Sequence, residues 1–328
     1  MDTGPISNRL PLCLITGSSG FIGRKLCSSV PASDYRIKAL VRSETQLQDL
    51  DEFDKVVVET MNAEVDWTEI LKNVDCIFHC AARAHILREN ASDDLKAYRQ
   101  INVAGTKNLA EQAAVVGVRR FIFLSSIGVY GVNTNLGESF KILHHPRPLT
   151  SYAISKWEAE QALWKVAKET NLEVVVVRPP LVYGPGVKGN FLRLLQLVSS
   201  GLPLPFASIR NKRSLVGLDN LVDLLIRCLD HPRAAGQTLL VSDGHDLSTV
   251  ELVSKLSHYL NKSAAQISIP VPILKLAGRI VGKSKEIDQL TGSLQVDSQL
   301  TCDLLDWSPP VSVEDGLRNT AEWFSRQA

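Results

Sequence analysis

The sequence predicts an α/β fold with a parallel sheet, followed by a smaller and mostly helical carboxyl-terminal lobe. Three observations carry that expectation. A short apolar run at Leu10–Thr16 passes straight into a glycine-rich turn and an amphipathic stretch. Further short apolar runs then alternate with helical patterns, which is the βαβ signature of a parallel sheet. From His245 onward the pattern turns mainly helical, punctuated by Pro270, Pro272, Pro309 and Pro310.

Length and composition set the bounds. At 328 residues the chain can bury a large core. Lys and Arg number 36 against 35 Asp and Glu, a net charge of +1, so neither a nucleic-acid partner nor an acidic tail is indicated. Six cysteines form no C-x-x-C pair, and Cys13, Cys76 and Cys80 sit in apolar runs, where a free thiol acts as a small hydrophobe. No metal site is expected. With no signal peptide and no apolar run of membrane-spanning length, the expected location is the cytoplasm, without membrane insertion.

In chain order, Leu10–Thr16 reads as a buried strand and Gly17-Ser18-Ser19-Gly20-Phe21-Ile22-Gly23 as its turn into a helix. Strand, glycine turn and helix together are what a dinucleotide pyrophosphate requires. Gly17 and Gly20 allow a tight turn and close backbone approach, and Gly23 allows close helix–strand packing. The pyrophosphate meets the free N–H groups of the helix start, including those of the Ser19–Gly23 stretch. The spacing is G-x-x-G-x-x-G rather than G-x-G-x-x-G. A second strand, Tyr35–Val41, ends at Arg42 and Ser43, where an NAD enzyme usually carries an acidic residue for the ribose 2′-hydroxyl. A guanidinium there suits a 2′-phosphate, so the expected cofactor is NADP(H), with NAD(H) the alternative.

Lys55–Val58 reads as a third strand and Val74–Ala82 as a fourth, with Ala81 and Ala82 leaving room for a ribose or nicotinamide at the strand's carboxyl end. His79 reads as a structural histidine, and Arg83 and His85 as residues that could face substrate. Ser92–Gly117 reads as one long helix. Asn102 and Gly105 inside it cost stability, so something must pass close by or use the amide. Arg120–Ser126 reads as the next strand, continuing through Ile127–Gly131. Ser126 at its end could hydrogen-bond a substrate oxygen.

A helix then starts at Thr150-Ser151-Tyr152-Ala153-Ile154-Ser155-Lys156. Tyr152 and Lys156, four apart, share one face. A lysine ammonium nearby favours the phenolate and draws the tyrosine from its ordinary value near 10 toward the working range. Val174–Val177 reads as a fully buried strand, and Pro179, Pro180 and Pro185 then break regular structure. A helix to Ser200 follows. The basic turn Arg210–Arg213 could clamp a diphosphate through an arginine fork. Leu218–Leu229 reads as helix and Thr238–Val241 as a returning strand.

This ordered set resembles the extended short-chain dehydrogenase/reductases, the family of sugar-nucleotide epimerases, dehydratases and reductases. The resemblance runs from about Leu10 to Phe324 and is carried by Gly17–Gly23, His79–Ala82, Asn102–Thr106, Ser125–Gly131, Tyr152–Lys156 and Arg178–Gly186. It implies a doubly wound Rossmann sheet and a catalytic set of Ser126, Tyr152 and Lys156. Cofactor contacts would fall on the glycine loop, Arg42, Ser43, Ala81, Ala82, Asn102, Tyr152, Lys156 and Pro179. A UDP-sugar would meet Arg83, Ser126, Asn190 and Arg213. Family members often dimerise through two helices, here those beginning near Ser92 and Ser151. The implied organisation is a cofactor domain of 1–178 with about 214–244, and a substrate lobe of about 179–213 with 245–328.

Two departures refine the expectation. The stretch Thr291–Leu294 lacks the second phosphate-clamping arginine common in the epimerases, for which Arg279 or Lys283 could substitute. Ser126 is followed by Ile127 and Gly128, so the acidic pair of the 4,6-dehydratases is missing. Ser214–Asn220, Val241–Gly244 with Leu247–Thr249, and Gly292–Ser298 look most like bacterial polysaccharide-pathway members. The expected activity is therefore NADPH-dependent reduction of a UDP-4-keto-6-deoxy-N-acetylhexosamine at C4. The alternatives are a UDP-hexose 4-epimerase with bound NAD, or a non-catalytic NADP-binding regulatory protein.

Overall fold

The computed structural model describes residues 9–44, 53–83, 91–263 and 265–327. His85 lies outside them. Among the described residues, seven strands form the main sheet: β1 Leu12–Thr16, β2 Arg36–Val41, β3 Asp54–Val57, β4 Cys76–His79, β5 Arg120–Leu124, β7 Glu173–Arg178 and β10 Thr238–Leu240. Their order is β10-β7-β5-β4-β1-β2-β3. The β1–β2, β2–β3, β1–β4 and β4–β5 ladders are parallel, with Cys13 opposite both Ile37 and Cys76. Strand order reverses across β1 and β4, which makes the sheet doubly wound. The carboxyl ends of those two strands are the switch point where such sheets bind ligands. β1 and β4 are buried along their whole length, apolar except for Thr16 and His79 at their carboxyl ends, which hydrogen-bond each other.

By its internal contacts the chain divides into two units. The first is 1–124 with 158–176 and 228–237; the second is 125–157 with 177–227 and 238–328. The first unit's core packs Leu14, Ile77, Phe121 and Phe123 with Trp67, Leu109, Leu163 and Val176. Arg120, only 2% exposed, is held within it by Glu173 and by the carbonyls of Cys228 and Leu229. The second unit holds two short parallel ladders that the sequence pattern did not announce. One joins β6 Ser139–Phe140 to β11 Gln295–Val296, the other β8 Leu181–Tyr183 to β9 Leu215–Gly217.

Residues 125–157 fall in the second unit. The reason is local bonding: Ser125 N donates to Val177 O at 2.8 Å and Ile127 N to Pro179 O at 2.9 Å. Ile127, Val129 and Tyr130 then pack with Leu240, Leu294 and Val296.

The expected long helix at 92–117 is interrupted. α2 Ala91–Tyr98 runs into a π-helical stretch, Arg99–Gly105, before α3 Thr106–Val115. Both features that the sequence pointed to, a close approach and a used amide, lie in this stretch. A methyl group on Gly105 would overlap the Met61 carbonyl, so a neighbouring segment passes against it. Asn102 uses its amide to bracket Arg83, accepting from Arg83 N at 2.8 Å and donating to Arg83 O at 3.1 Å. π-Helical turns of this kind favour functional sites because they re-aim side chains.

Candidate functional site

The first unit carries the glycine loop at the switch point. Gly17 has φ +72°, a backbone region open to glycine at little cost. A Cβ there would come within 2.9 Å of Ala81 N, so the ends of β1 and β4 touch through bare backbone. Ala81 N also donates to Thr16 Oγ1 at 3.1 Å. A methyl group on Gly23 would overlap the Gly17 carbonyl, which explains the third glycine. Gly20 caps α1 Phe21–Ser29 in extended conformation with no side-chain hydrogen bond and no acidic residue in the first turn. The helix start therefore presents N–H groups and its dipole to an anion. This cradle fits a dinucleotide pyrophosphate. Ser18 is turned away from it, buried and donating to Ile15 O at 2.6 Å.

His79 is structural, as expected: Thr16 Oγ1 lies 2.9 Å from Nδ1 and Thr106 Oγ1 2.8 Å from Nε2, and the ring is 2% exposed. Arg42 is exposed and Ser43 half-buried just past β2. Gly17, Ser19, Gly20, Phe21, Ile22, Gly23, Arg42, Ser43, Ala81, Ala82, Arg83 and Asn102 all belong to the first unit, whereas Ser126, Tyr152, Lys156, Pro179, Asn190 and Arg213 belong to the second.

In the second unit, α4 Ser151–Glu169 begins on Thr150, whose Oγ1 accepts from Ala153 N at 3.2 Å. That cap fixes the first turn, on which Tyr152 is half-buried and Lys156 buried at 2% exposure. Burying an ammonium is costly, so proteins keep one only where it has polar work to do. The strand does not continue through Gly131 as expected: β5 stops at Leu124, and Ser126 starts a tight turn over Ile127–Val129, with Oγ accepting from Gly128 N at 3.1 Å. A Cβ on Gly128 would touch both Ser126 Oγ at 3.3 Å and Ala153 Cβ at 3.6 Å. The serine turn thus packs on the first turn of α4, one residue from Tyr152.

Sequence reasoning quoted Arg178 only as part of a motif. In the structure its guanidinium lies 4.7 Å from the Tyr130 ring centre and 5.6 Å from that of Trp157, and it donates to Tyr130 Oη. Arg178 thereby fixes the residue next to Lys156.

Farther along, Arg213 Nη1 donates to Gln289 O at 2.7 Å and Gly292 O at 2.9 Å, and burial lowers its pKa. Asn190 donates to Gln289 Oε1 at 2.6 Å. The 289–292 stretch, which lacks an arginine of its own, therefore supplies carbonyls that seat Arg213. Asp243 was missed altogether. It accepts from Tyr183 Oη at 2.8 Å, Asn220 Nδ2 at 2.7 Å and Gly217 N at 2.8 Å. Burial raises its pKa, and burial together with this carboxylate pushes the Tyr183 phenol well above its ordinary range. Nothing in its Ser-Asp-Gly setting distinguishes Asp243 from a turn residue.

Comparison with known proteins bears on the family of the chain. The profile of the NAD dependent epimerase/dehydratase family matches residues 13–241. A UDP-glucose 4-epimerase of Vibrio cholerae is 48% identical over 313 residues, covering 95% of this chain and 94% of that one. The N-acetyl-alpha-D-glucosaminyl-diphospho-ditrans,octacis-undecaprenol 4-epimerase of Escherichia coli O157:H7 is 27% identical, covering 81% of this chain and 77% of that one. Among solved structures, the UDP-glucuronic acid 4-epimerase of Bacillus cereus in complex with UDP-glucuronic acid and NAD superimposes with a TM-score of 0.78. It is 21% identical and covers 97% of this chain and 100% of that one, a likeness of fold.

Proposed function

The chain belongs to the NAD-dependent epimerase/dehydratase family, and within it we propose that the protein is a UDP-hexose 4-epimerase that retains NAD. The observation that carries the reading is the 48% identity, over nearly the full length of both chains, to a protein named UDP-glucose 4-epimerase. The ketoreductase expectation gives way to its alternative, since the relatives reported above are named epimerases and the Bacillus cereus structure holds NAD. The NADP(H) preference inferred from Arg42 finds no support among them. An intact Tyr152 and Lys156 speak against a non-catalytic role.

Gly17, Gly20, Gly23 and the N–H groups opening α1 would hold the pyrophosphate, with Ala81 leaving room beside it. When bound, NAD supplies a reversible hydride acceptor for the sugar carbon. Tyr152 takes the proton from the C4 hydroxyl and returns it to the C4 oxygen after the sugar has turned its other face. Ser126 donates a hydrogen bond to that oxygen, and the Lys156 ammonium favours the phenolate so that the proton moves both ways near neutral pH. Arg213, seated by Gln289 and Gly292, and Asn190 would face the diphosphate.

The test is to incubate the purified protein with UDP-glucose or UDP-galactose without added cofactor, follow the C4 epimers by NMR, and identify the nucleotide released on denaturation. Interconversion with bound NAD is expected. Net NADPH consumption on a UDP-4-keto-6-deoxy sugar, with no interconversion of hexoses, would return the reading to the ketoreductase.

A further inference from the structure

The second unit carries an exposed helix whose surface is not that of an ordinary solvated element. α8 Val271–Ile280 is ten residues long, opened by Pro270 and Pro272. Its inward side is narrow: Leu274 and Gly278 are buried, and Gly278 lies close against Ile287 of α9 Ser284–Thr291. Outward, Ile273, Leu276, Ile280 and Val281 are 56%, 58%, 78% and 65% exposed. With Ala277 they fall at i, i+3, i+4, i+7 and i+8, which is one continuous stripe on a helix.

Charge borders this stripe on one side only. Lys275 and Arg279 stand four apart on its flank and line a shallow groove with Val271, Pro272 and Leu276. From 262 to 285 the sequence holds five Lys or Arg and no Asp or Glu, in a chain whose overall charge is +1. On α9, Asp288 pairs with Lys275 at 3.2 Å and Glu286 with Arg193 at 3.8 Å. Among the described residues Arg279 and Lys283, considered from sequence as phosphate clamps, make no ion pair.

We infer that α8 is an interfacial helix that docks the protein on an anionic phospholipid surface, its apolar stripe entering the headgroup boundary and its cations meeting lipid phosphates. A short apolar stripe flanked by Lys and Arg, with local charge opposite to that of the surface, is the physical requirement for such binding. Docking of this kind differs from spanning. Among the described residues no helix is long and apolar enough to cross a membrane, and ten residues fall well short of the roughly 20 needed. The same α8–α9 pair carries Gln289, the partner of Asn190 and Arg213. Docking through α8 therefore holds a neighbouring polar cluster of the second unit near the lipid surface. The inference does not depend on the sugar chemistry.

The full-length protein is sedimented with vesicles of phosphatidylcholine containing about a third phosphatidylglycerol, with pure phosphatidylcholine vesicles, and at raised salt. Binding to the anionic vesicles, weaker on neutral ones and reduced by salt, is expected. Leu276→Glu with Ile280→Glu should lower the partition coefficient by about tenfold or more. Lys275→Gln with Arg279→Gln should lower it about tenfold on anionic vesicles only. Circular dichroism checks that these surface variants fold, and ultracentrifugation reports mass. The proposal is overturned if wild-type protein stays in the supernatant with anionic vesicles, or if the double Glu variant sediments as well as wild type. It is equally overturned if that variant halves the solution mass without changing vesicle binding, for then a second copy covers the stripe.

Discussion

The glycine cradle of the first unit and the Asp243 cluster of the second both fix backbone from separate segments, by opposite means. The cradle works by removing atoms: Gly17 and Gly23 leave no Cβ where Ala81 N and the Gly17 carbonyl already stand. The Asp243 cluster works by adding a partner: one carboxylate gathers Tyr183, Asn220 and Gly217 from segments 23 to 60 residues away. Exclusion depends on backbone atoms that already fill the space, Ala81 N against Gly17 and the Gly17 carbonyl against Gly23, so it tolerates little larger than hydrogen. Gathering depends on charge and burial, so it fails only when the shared acceptor is lost.

The first way to sharpen this contrast leaves both devices intact and removes only chemistry. Tyr152→Phe should lower epimerase turnover by roughly a hundred-fold or more, while the bound dinucleotide, measured by its absorbance after denaturation, stays at wild-type content. Wild-type turnover in that variant would end the assignment of Tyr152.

The second removes the gathering acceptor. Asp243→Ala leaves three inward-facing donors unmet. At about 1–3 kcal/mol each, less the relief of desolvating a carboxylate whose pKa burial has raised, the net loss is about 3 kcal/mol. It reads out as a lower urea midpoint, with dinucleotide content per folded molecule unchanged. A cofactor-free but equally stable variant would invert the contrast.

The third breaks the exclusion. Gly23→Ala puts a methyl group into the Gly17 carbonyl, and overpacking of this kind costs about 1–3 kcal/mol. Because the clash lies in the cradle, NAD content should fall along with stability. Gly137→Ala is the control: φ is +85° with nothing within 4 Å, so only backbone strain of about 1 kcal/mol is felt and NAD stays bound.

The smallest effect tests a local device in the second unit. Ser248 and Glu251 form a capping box at the start of α7 Thr249–Tyr259. Hydrogen bonds from Ser248, helped by Lys212, hold Glu251 down to about 2 from the usual 4.5. A depressed carboxylate stabilises fully above its ordinary value and loses that contribution as pH falls toward 2. Glu251→Gln should therefore cost about 0.5 kcal/mol at neutral pH, screened because the pair with Lys212 is exposed. The gap between the urea midpoints should close toward pH 2. A gap that widens in acid would contradict the assignment.

The cradle, the strands and the start of α4 were legible because each is written in consecutive residues. A short apolar run such as Leu12–Thr16, ending on a glycine turn, reads as a buried strand, the Gly17–Gly23 spacing admits few backbone paths, and Tyr152 and Lys156 share a face by helical periodicity alone. The Asn102 and Gly105 anomaly was also readable as a demand for close approach, though not which segment, Met61, would make it. What tertiary structure decided was everything joined across long separations: the hub at Asp243, the clamp of Arg178 on Tyr130 and Trp157, and the carbonyls of 289–292 that seat Arg213. A carboxylate in a turn, an arginine after a strand and a carbonyl near a helix end look alike in any sequence. They differ only in what folding brings against them, because hydrogen bonding and burial are properties of neighbours in space rather than of neighbours in the chain.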